Sequence, residues 1–450
     1  MNSRFFLFVL CMVVSLLQCH AGDVFTRGIF RYELITDTLL YESWTGQYKT
    51  QVYAYVSYNV ESHFSENSGI TDELIIPGEV KYKNRRYNVK ISANGFRSLT
   101  FFSSVRMEEG VEAIGDSAFY GCSRLMSVNI PATVNKISAS MVQYCKQLRT
   151  IMVDDGNERY DSREGCNAVV QKEGNRLIIG CNGTIIPKVR IIDRDAFKYC
   201  QELSVANIPE GVEQIMSRAF MGCYNLCQLS LPSSLKSIGD DAFKDCKRLS
   251  EVLIPANVVN IPYNPFTGCI SLNHIEVSPQ NSKYTSLDGA NAIIETITST
   301  VVSGCISTRI DTKIKVIGSY AFAGAVVSET INLPFTITKI ADHAFESTVG
   351  LMELTIPSSV EYIGKYAFAD CATLKRAKVY AQINELREGT FYECTRLQDI
   401  SLPESLKIIS SKSITKCISL HQLDVPISVK YIDNDAFEST PVLQLHTQTR

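Results

Sequence analysis

Fifteen cysteines and six histidines stand in a chain of 450 residues. Thiols and imidazoles could ligate a metal, form disulfides or act as nucleophiles. Their spacing supports none of these. His20, His63, His274, His343, His421 and His446 fall in unrelated phases, and none pairs with another at ligand spacing. C-x-x-C, H-E-x-x-H, G-x-S-x-G, P-loop and dinucleotide fingerprints do not occur. Acidic pairs such as Asp154-Asp155 and Asp240-Asp241 sit in turn-like stretches, where solvation is a simpler role than general acid–base work. No enzyme, cofactor or metal site is expected. A net charge of −3 gives no electrostatic reason to expect nucleic acid as a partner.

What the cysteines share is a phase. Nine of them (Cys122, Cys145, Cys200, Cys223, Cys246, Cys269, Cys371, Cys394 and Cys417) follow an apolar anchor by three residues. The anchor is usually the Phe of an Ala-Phe pair, as in Ala118-Phe119, Ala242-Phe243 and Ala367-Phe368. Adding Phe96, Val142, Phe266, Phe391 and Ile414 gives thirteen anchors, and ten of the twelve gaps between them are 23 residues. The other gaps are 55 and 56, one repeat plus an insertion-bearing turn. Leu99, Ala325, Thr348 and Thr440 replace Cys in four units, which argues for a small buried volume rather than a disulfide ladder.

Each unit has one grammar. An L-x-x-L-x-L run such as Leu226, Leu229 and Leu231 ends with the alternation of a short strand. Proline then stops the strand at eight places, among them Pro232 and Pro357. V-x-x-I, as in Val360 and Ile363, returns the chain to the next anchor. No 23-residue unit can bury its own apolar set, so the array must stack into a solenoid. At about 4.8 Å per strand, thirteen turns would span roughly 60 Å.

The pattern C-x-x-L-x-x-[LIV]-x-[IL]-P-x-x-[VL]-x-x-I-x-x-x-A-F resembles the BspA-like leucine-rich repeat family of bacterial surface proteins, over about residues 92 to 450. Where the usual repeat has Asn or Cys after the last strand Leu, this chain has Thr133, Ser234, Asn257, Thr336, Ser359, Ser405 and Ser428. Small hydroxyls should satisfy the turn backbone there. The fold expected is a leucine-rich-repeat superhelix of the α/β class, mostly β, with short strands, turns or 3-10 segments on its convex side.

Outside the repeats, Met1–Ala21 has the order of a secretory signal: Arg4, an apolar stretch from Phe5 to Leu17, then Cys19-His20-Ala21. That stretch is too short to span a bilayer, and no second long apolar run follows. Leu16-Leu17-Gln18-Cys19 is a poor lipobox, which leaves lipidation of Cys19 as an alternative. Residues 22–91 are strand-rich and aromatic (Tyr32, Tyr41, Trp44, Tyr48, Tyr53, Tyr55, Tyr58, Phe64) and suit an N-terminal β cap over open strand edges. A separate carbohydrate- or protein-binding β domain is the competing reading.

Two insertions, near residues 160–187 and 284–308, align at an offset of 124, matching Gly165 with Gly289, Asn167 with Asn291 and Gly180 with Gly304. Each suggests a β-hairpin that contributes to binding or merely spaces the repeats. Asn182-Gly183-Thr184 is a glycosylation sequon, meaningful only on a eukaryotic secretory route.

The concave strands should present the residues around their middle leucine: Val205, Asn207, Gln228, Ser230, Glu251, Leu253, His274 and Glu276, then the basic rung Arg376 and Lys378. A long, mixed face without convergent catalytic groups suits recognition of a macromolecule. The family resemblance implies a secreted or surface-exposed adhesion protein that binds host or neighbouring-cell surface or matrix protein. Glycan capture and a structural spacer are the alternatives. If the hairpins flank the concave face, the 205–276 stretch becomes a walled groove.

Overall fold

The structure, a computed structural model, describes residues 22–42, 47–58, 72–286, 289–441 and 444–447. Met1–Ala21 with Cys19, and the side chains of Tyr41, Trp44, Tyr48 and Phe64, lie outside what is described. The chain divides into two compact units, residues 1–173 with 181–184, and residues 174–180 with 185–450. Both are built from turns of one kind. About fifteen turns result, two more than the anchors, because each insertion adds a turn that carries no anchor.

In the first unit the L-x-L strands Glu73–Ile76, Ser104–Met107, Ser127–Ile130 and Thr150–Val153 run parallel and in register. The V-x-x-I halves form a second parallel ladder of Arg85–Ile91, Val111–Ile114 and Lys136–Ile137. At its first edge Gln47–Tyr58 joins in parallel, and it pairs antiparallel with Phe30–Glu42, which in turn meets Val24–Arg27. Rings fill this end: Phe25 stacks on Tyr82 at 4.2 Å and on Tyr32 at 5.2 Å, while Tyr32 and Tyr53 are buried.

The second unit repeats the arrangement. Thr330–Asn332, Glu353–Ile356, Arg376–Val379 and Asp399–Ser401 form one L-x-L ladder. Two-residue strands such as Val316–Ile317, Lys339–Ile340 and Tyr362–Ile363 form the other. Between the ladders the phenylalanines stack face to face, with centroids 4.7 Å apart for Phe197–Phe220 and 5.2 Å for Phe220–Phe243.

The anchor turn explains why helix is all but absent. Its only instance among the described residues is the 3-10 turn Arg163–Gly165. The residue before Ala-Phe and the residue before Cys both take positive φ, as with Asp241 (54°) and Asp245 (58°). Two left-handed residues per turn interrupt any right-handed helix. The same turn makes a third ladder, in which the Phe N–H donates to the Ala carbonyl one turn on, as from Phe220 to Ala242 at 2.7 Å.

The hydroxyls after each strand behave as expected. Thr133, Ser234, Thr336, Ser359, Ser405 and Ser428 each donate to a carbonyl 22 residues earlier, at 2.7–2.9 Å. Asn257 instead donates its side-chain amide to the Ser233 carbonyl. The paired glycines also find a reason. A Cβ at Gly180 or Gly304 would stand 2.1 Å from the ring of Phe197 or Phe322, so only glycine lets the chain pass the next anchor.

Candidate functional site

The column cysteines come first, since their types could do chemistry. All thirteen described cysteines are free thiols. In the column every Sγ but that of Cys200 donates to the anchor carbonyl 26 residues back, as from Cys223 to Phe197 at 3.2 Å and from Cys394 to Phe368 at 3.1 Å, while Cys200 Sγ donates to the Gly180 carbonyl at 3.7 Å. Thr348 and Thr440 make the same bond to Phe322 and Ile414 with their hydroxyls. The place therefore holds a small donor in most turns, with Leu99 and Ala325 as the units that carry none, which sequence spacing did not reveal. The cue lay in the substitutions, since Thr shares a donor with Cys. Burial pushes the Cys122, Cys371 and Cys417 thiols up to about 12, so thiolate is scarce at neutral pH and exchange is slow. Thiol titration of unfolded, unreduced protein should count at least nine free thiols; a count showing most of them oxidised contradicts this packing.

On the L-x-L strands the side chains alternate, one exposed and the next buried. Val205, Asn207, Gln228, Ser230, Glu251, Leu253, His274, Glu276, Arg376 and Lys378 are all exposed, with Ala206, Val252, Ile275 and Ala377 buried between them. Parallel register sets them side by side within each strand pair: Val205 beside Gln228 and Asn207 beside Ser230, then Glu251 beside His274 and Leu253 beside Glu276. Farther along, Arg376 stands between Glu353 and Asp399, and Lys378 between Thr355 and Ser401. Arg376 pairs with Glu353, whereas Lys378 has no ion pair among the described residues. His274 Nε2 lies 3.7 Å from Glu276, and its Nδ1 is 3.0 Å from Asn291 Oδ1.

The hairpins are placed otherwise than the groove required. Ala292–Glu295 pairs antiparallel with Thr300–Gly304, and the latter continues in parallel into Val316–Ile317 of the V-x-x-I ladder. Arg176–Ile179 likewise runs into Ile191–Ile192 of that ladder. The arms thus extend the V-x-x-I ladder, and Asn291 of the second insertion meets His274 of the face. Of the N-terminal aromatics, Tyr55 and Tyr58 are half-buried. Tyr32 and Tyr53 are core, and Lys90 Nζ sits 3.4 Å from the Tyr53 ring centroid.

Two buried or half-buried asparagines escaped the sequence reading. Asn157 and Asn281, again 124 apart, each donate to two carbonyls of the preceding turn and accept two backbone N–H groups of their own. The duplicated block thus starts upstream of the hairpin, and the constant offset was the signal that could have found it.

Stacked turns with two parallel ladders and one exposed, register-aligned face define a leucine-rich-repeat solenoid. The BspA type leucine rich repeat region matches residues 86–164, 190–301 and 315–444 in six copies, and the chain belongs to that family. No curated protein matches the sequence significantly. Among solved structures, a leucine rich cell surface protein from Faecalibacterium prausnitzii A2-165 is 24% identical, with 94% of each chain covered and a TM-score of 0.51. A leucine-rich repeat protein from Eubacterium ventriosum ATCC 27560 is 18% identical over 78% of this chain and 86% of that one, with a TM-score of 0.48. The first of these likenesses carries the fold and nothing finer.

Proposed function

We propose that this is an exported, surface-exposed, non-enzymatic recognition protein that binds a partner protein through the exposed face of its L-x-L strands. One observation carries the reading: ten exposed side chains of mixed chemistry stand on parallel strands that are in register within each ladder, and none of them is needed for the core. Rigid presentation keeps the entropic cost of binding low. Export rests on the signal-like order of Met1–Ala21, with cleavage after Ala21; membership of the family supports a bacterial surface location.

The reading is tested by screening the chain from Gly22 onward against immobilised host extracellular proteins and, in parallel, a glycan array. Capture by a protein, lost in a Gln228→Ala/Glu251→Ala/His274→Ala variant that keeps its circular dichroism spectrum, is the expected result. Each of these side chains is exposed, so the variant should fold. Unchanged affinity in that variant removes the face from the mechanism. Binding only on the glycan array removes the protein partner.

A further inference from the structure

From residue 314 on, turns follow one another without insertion, and residues 23 apart stand side by side on adjoining turns. Six such pairs carry opposite charges, among them Glu353 with Arg376, Lys365 with Glu388 and Glu393 with Lys416, and these three close as ion pairs. Two pairs carry like charges. Asp370 and Glu393 are relieved, the first by the Ser347 hydroxyl at 2.9 Å and the second by Lys416. Lys407 and Lys430 are not. Both are exposed, and the Lys430 backbone N–H donates to the Lys407 carbonyl at 2.8 Å. Neither side chain closes an ion pair among the described residues.

Like charges on neighbouring strands cost stability. Guarding a sheet edge, a common duty of strand lysines, does not account for Lys407, because the strand that follows it, Ile408–Ile409, is paired on both sides, by Glu385–Leu386 and by Tyr431–Ile432. Local carboxylates do not compensate either. Glu385 is held by Arg387 at 3.7 Å and by the Ser410 hydroxyl at 2.7 Å, and Asp433 accepts from the Tyr431 hydroxyl at 3.4 Å. Glu404, three residues ahead of Lys407, closes no ion pair with it. An earlier turn shows what is missing: Lys236, at the place of Lys407, has Glu213 one turn back at 3.0 Å, whereas Lys407 has Asn384 there. The next place along is apolar. Ile408 and Tyr431 lie side by side and are 38% and 57% exposed. Other turns of the second unit hold Gln214, Ser237, Lys339 or Glu385 at that place, or Tyr362, whose ring is covered by Lys339 at 5.0 Å and Arg387 at 4.7 Å.

Two uncompensated ammonium groups beside an exposed Ile–Tyr pair are complementary to carboxylates that flank an apolar side chain, the pairing that Glu213 already makes with Lys236. We propose that this patch docks an acidic segment of a partner protein, with carboxylates on Lys407 and Lys430 and an apolar side chain against Ile408 and Tyr431. None of its residues belongs to the ten on the L-x-L strands, so it stands or falls separately from them.

Two labelled hexapeptides, alternating Glu-Leu and alternating Lys-Leu, read by fluorescence polarisation against the chain from Gly22 onward, test the patch. The Glu-Leu peptide should bind, the Lys-Leu peptide should not, and the affinity should fall as salt rises. Lys407→Gln with Lys430→Gln should weaken the Glu-Leu peptide by roughly tenfold, and Tyr431→Ala should weaken it as well. The Gln228→Ala/Glu251→Ala/His274→Ala variant should bind it as wild type does. Lys407→Glu should abolish binding and raise the urea midpoint, because it turns a like-charge pair into an opposite one. Absence of Glu-Leu binding, equal binding by wild type and the lysine variant with the fold intact, or a urea midpoint that Lys407→Glu does not raise, overturns the proposal. Binding to phosphatidylserine vesicles with none to the peptide overturns it too, in favour of a membrane surface.

Discussion

Phe243→Ala should cost the protein about 3–5 kcal/mol, the range for truncating a large buried aromatic side chain. The ring is fully buried and lies between Phe220, 5.2 Å away at 8°, and Phe266, 5.5 Å away at 13°. Alanine would leave a cavity that two stacked rings border and neither can fill without leaving its own stack. The backbone bonds of the position survive the change: Phe243 N–H still donates to Pro265, and Cys269 Sγ still donates to the Phe243 carbonyl. The loss therefore reports the ring alone. Urea denaturation followed by circular dichroism measures it, and a loss below about 1 kcal/mol would mean that the phenylalanine column is not core. Because neighbour contacts dominate in such an array, amide exchange should quicken first in the turns of Phe220 and Phe266.

That ring was legible in the sequence because burial repeats with the fold. A residue that must be apolar in every turn marks its place every 23 residues, so the anchors, the strand leucines and the hydroxyls after each strand could all be found by phase. The exposed face was legible for the same kind of reason: alternation along a strand separates Val205 and Asn207 from Ala206. Hydrogen bonds to the backbone of the preceding turn leave no such mark. Cys at the column looks like a small apolar residue until Thr348 and Thr440 show the shared donor. The hairpins were recognisable as strand pairs, but their ladder was not, since it is set by where Gly180 and Gly304 let the chain pass Phe197 and Phe322. Nor could spacing show that Tyr320, His343 and Tyr366 stack, although each precedes its anchor by two residues.

Asn157→Ala should cost about 3 kcal/mol or more, a large loss for one small polar side chain. The residue is 1% exposed and makes four bonds. Its Nδ2 donates to Pro131 O at 3.1 Å and Val134 O at 2.8 Å, and its Oδ1 accepts from Arg159 N at 3.0 Å and Tyr160 N at 2.9 Å. Alanine removes all four at once, and each buried group left without a partner costs about 1–3 kcal/mol, less where water can enter. Asn157→Asp should be nearly as damaging, since a carboxylate keeps the oxygen that accepts the two N–H groups but points charge at the Pro131 and Val134 carbonyls. Asn281 repeats the arrangement with Pro255, Val258, Lys283 and Tyr284 at 2.8–2.9 Å, but is only half-buried. Solvent can take over part of its bonds, so Asn281→Ala should cost less than Asn157→Ala. The two sets share no partner, so the double variant should lose close to the sum of the single losses. Chemical denaturation of the three variants decides the matter: a loss below about 1 kcal/mol for Asn157→Ala would show that water replaces the amide and that the duplicated asparagine does not hold the insertion turn.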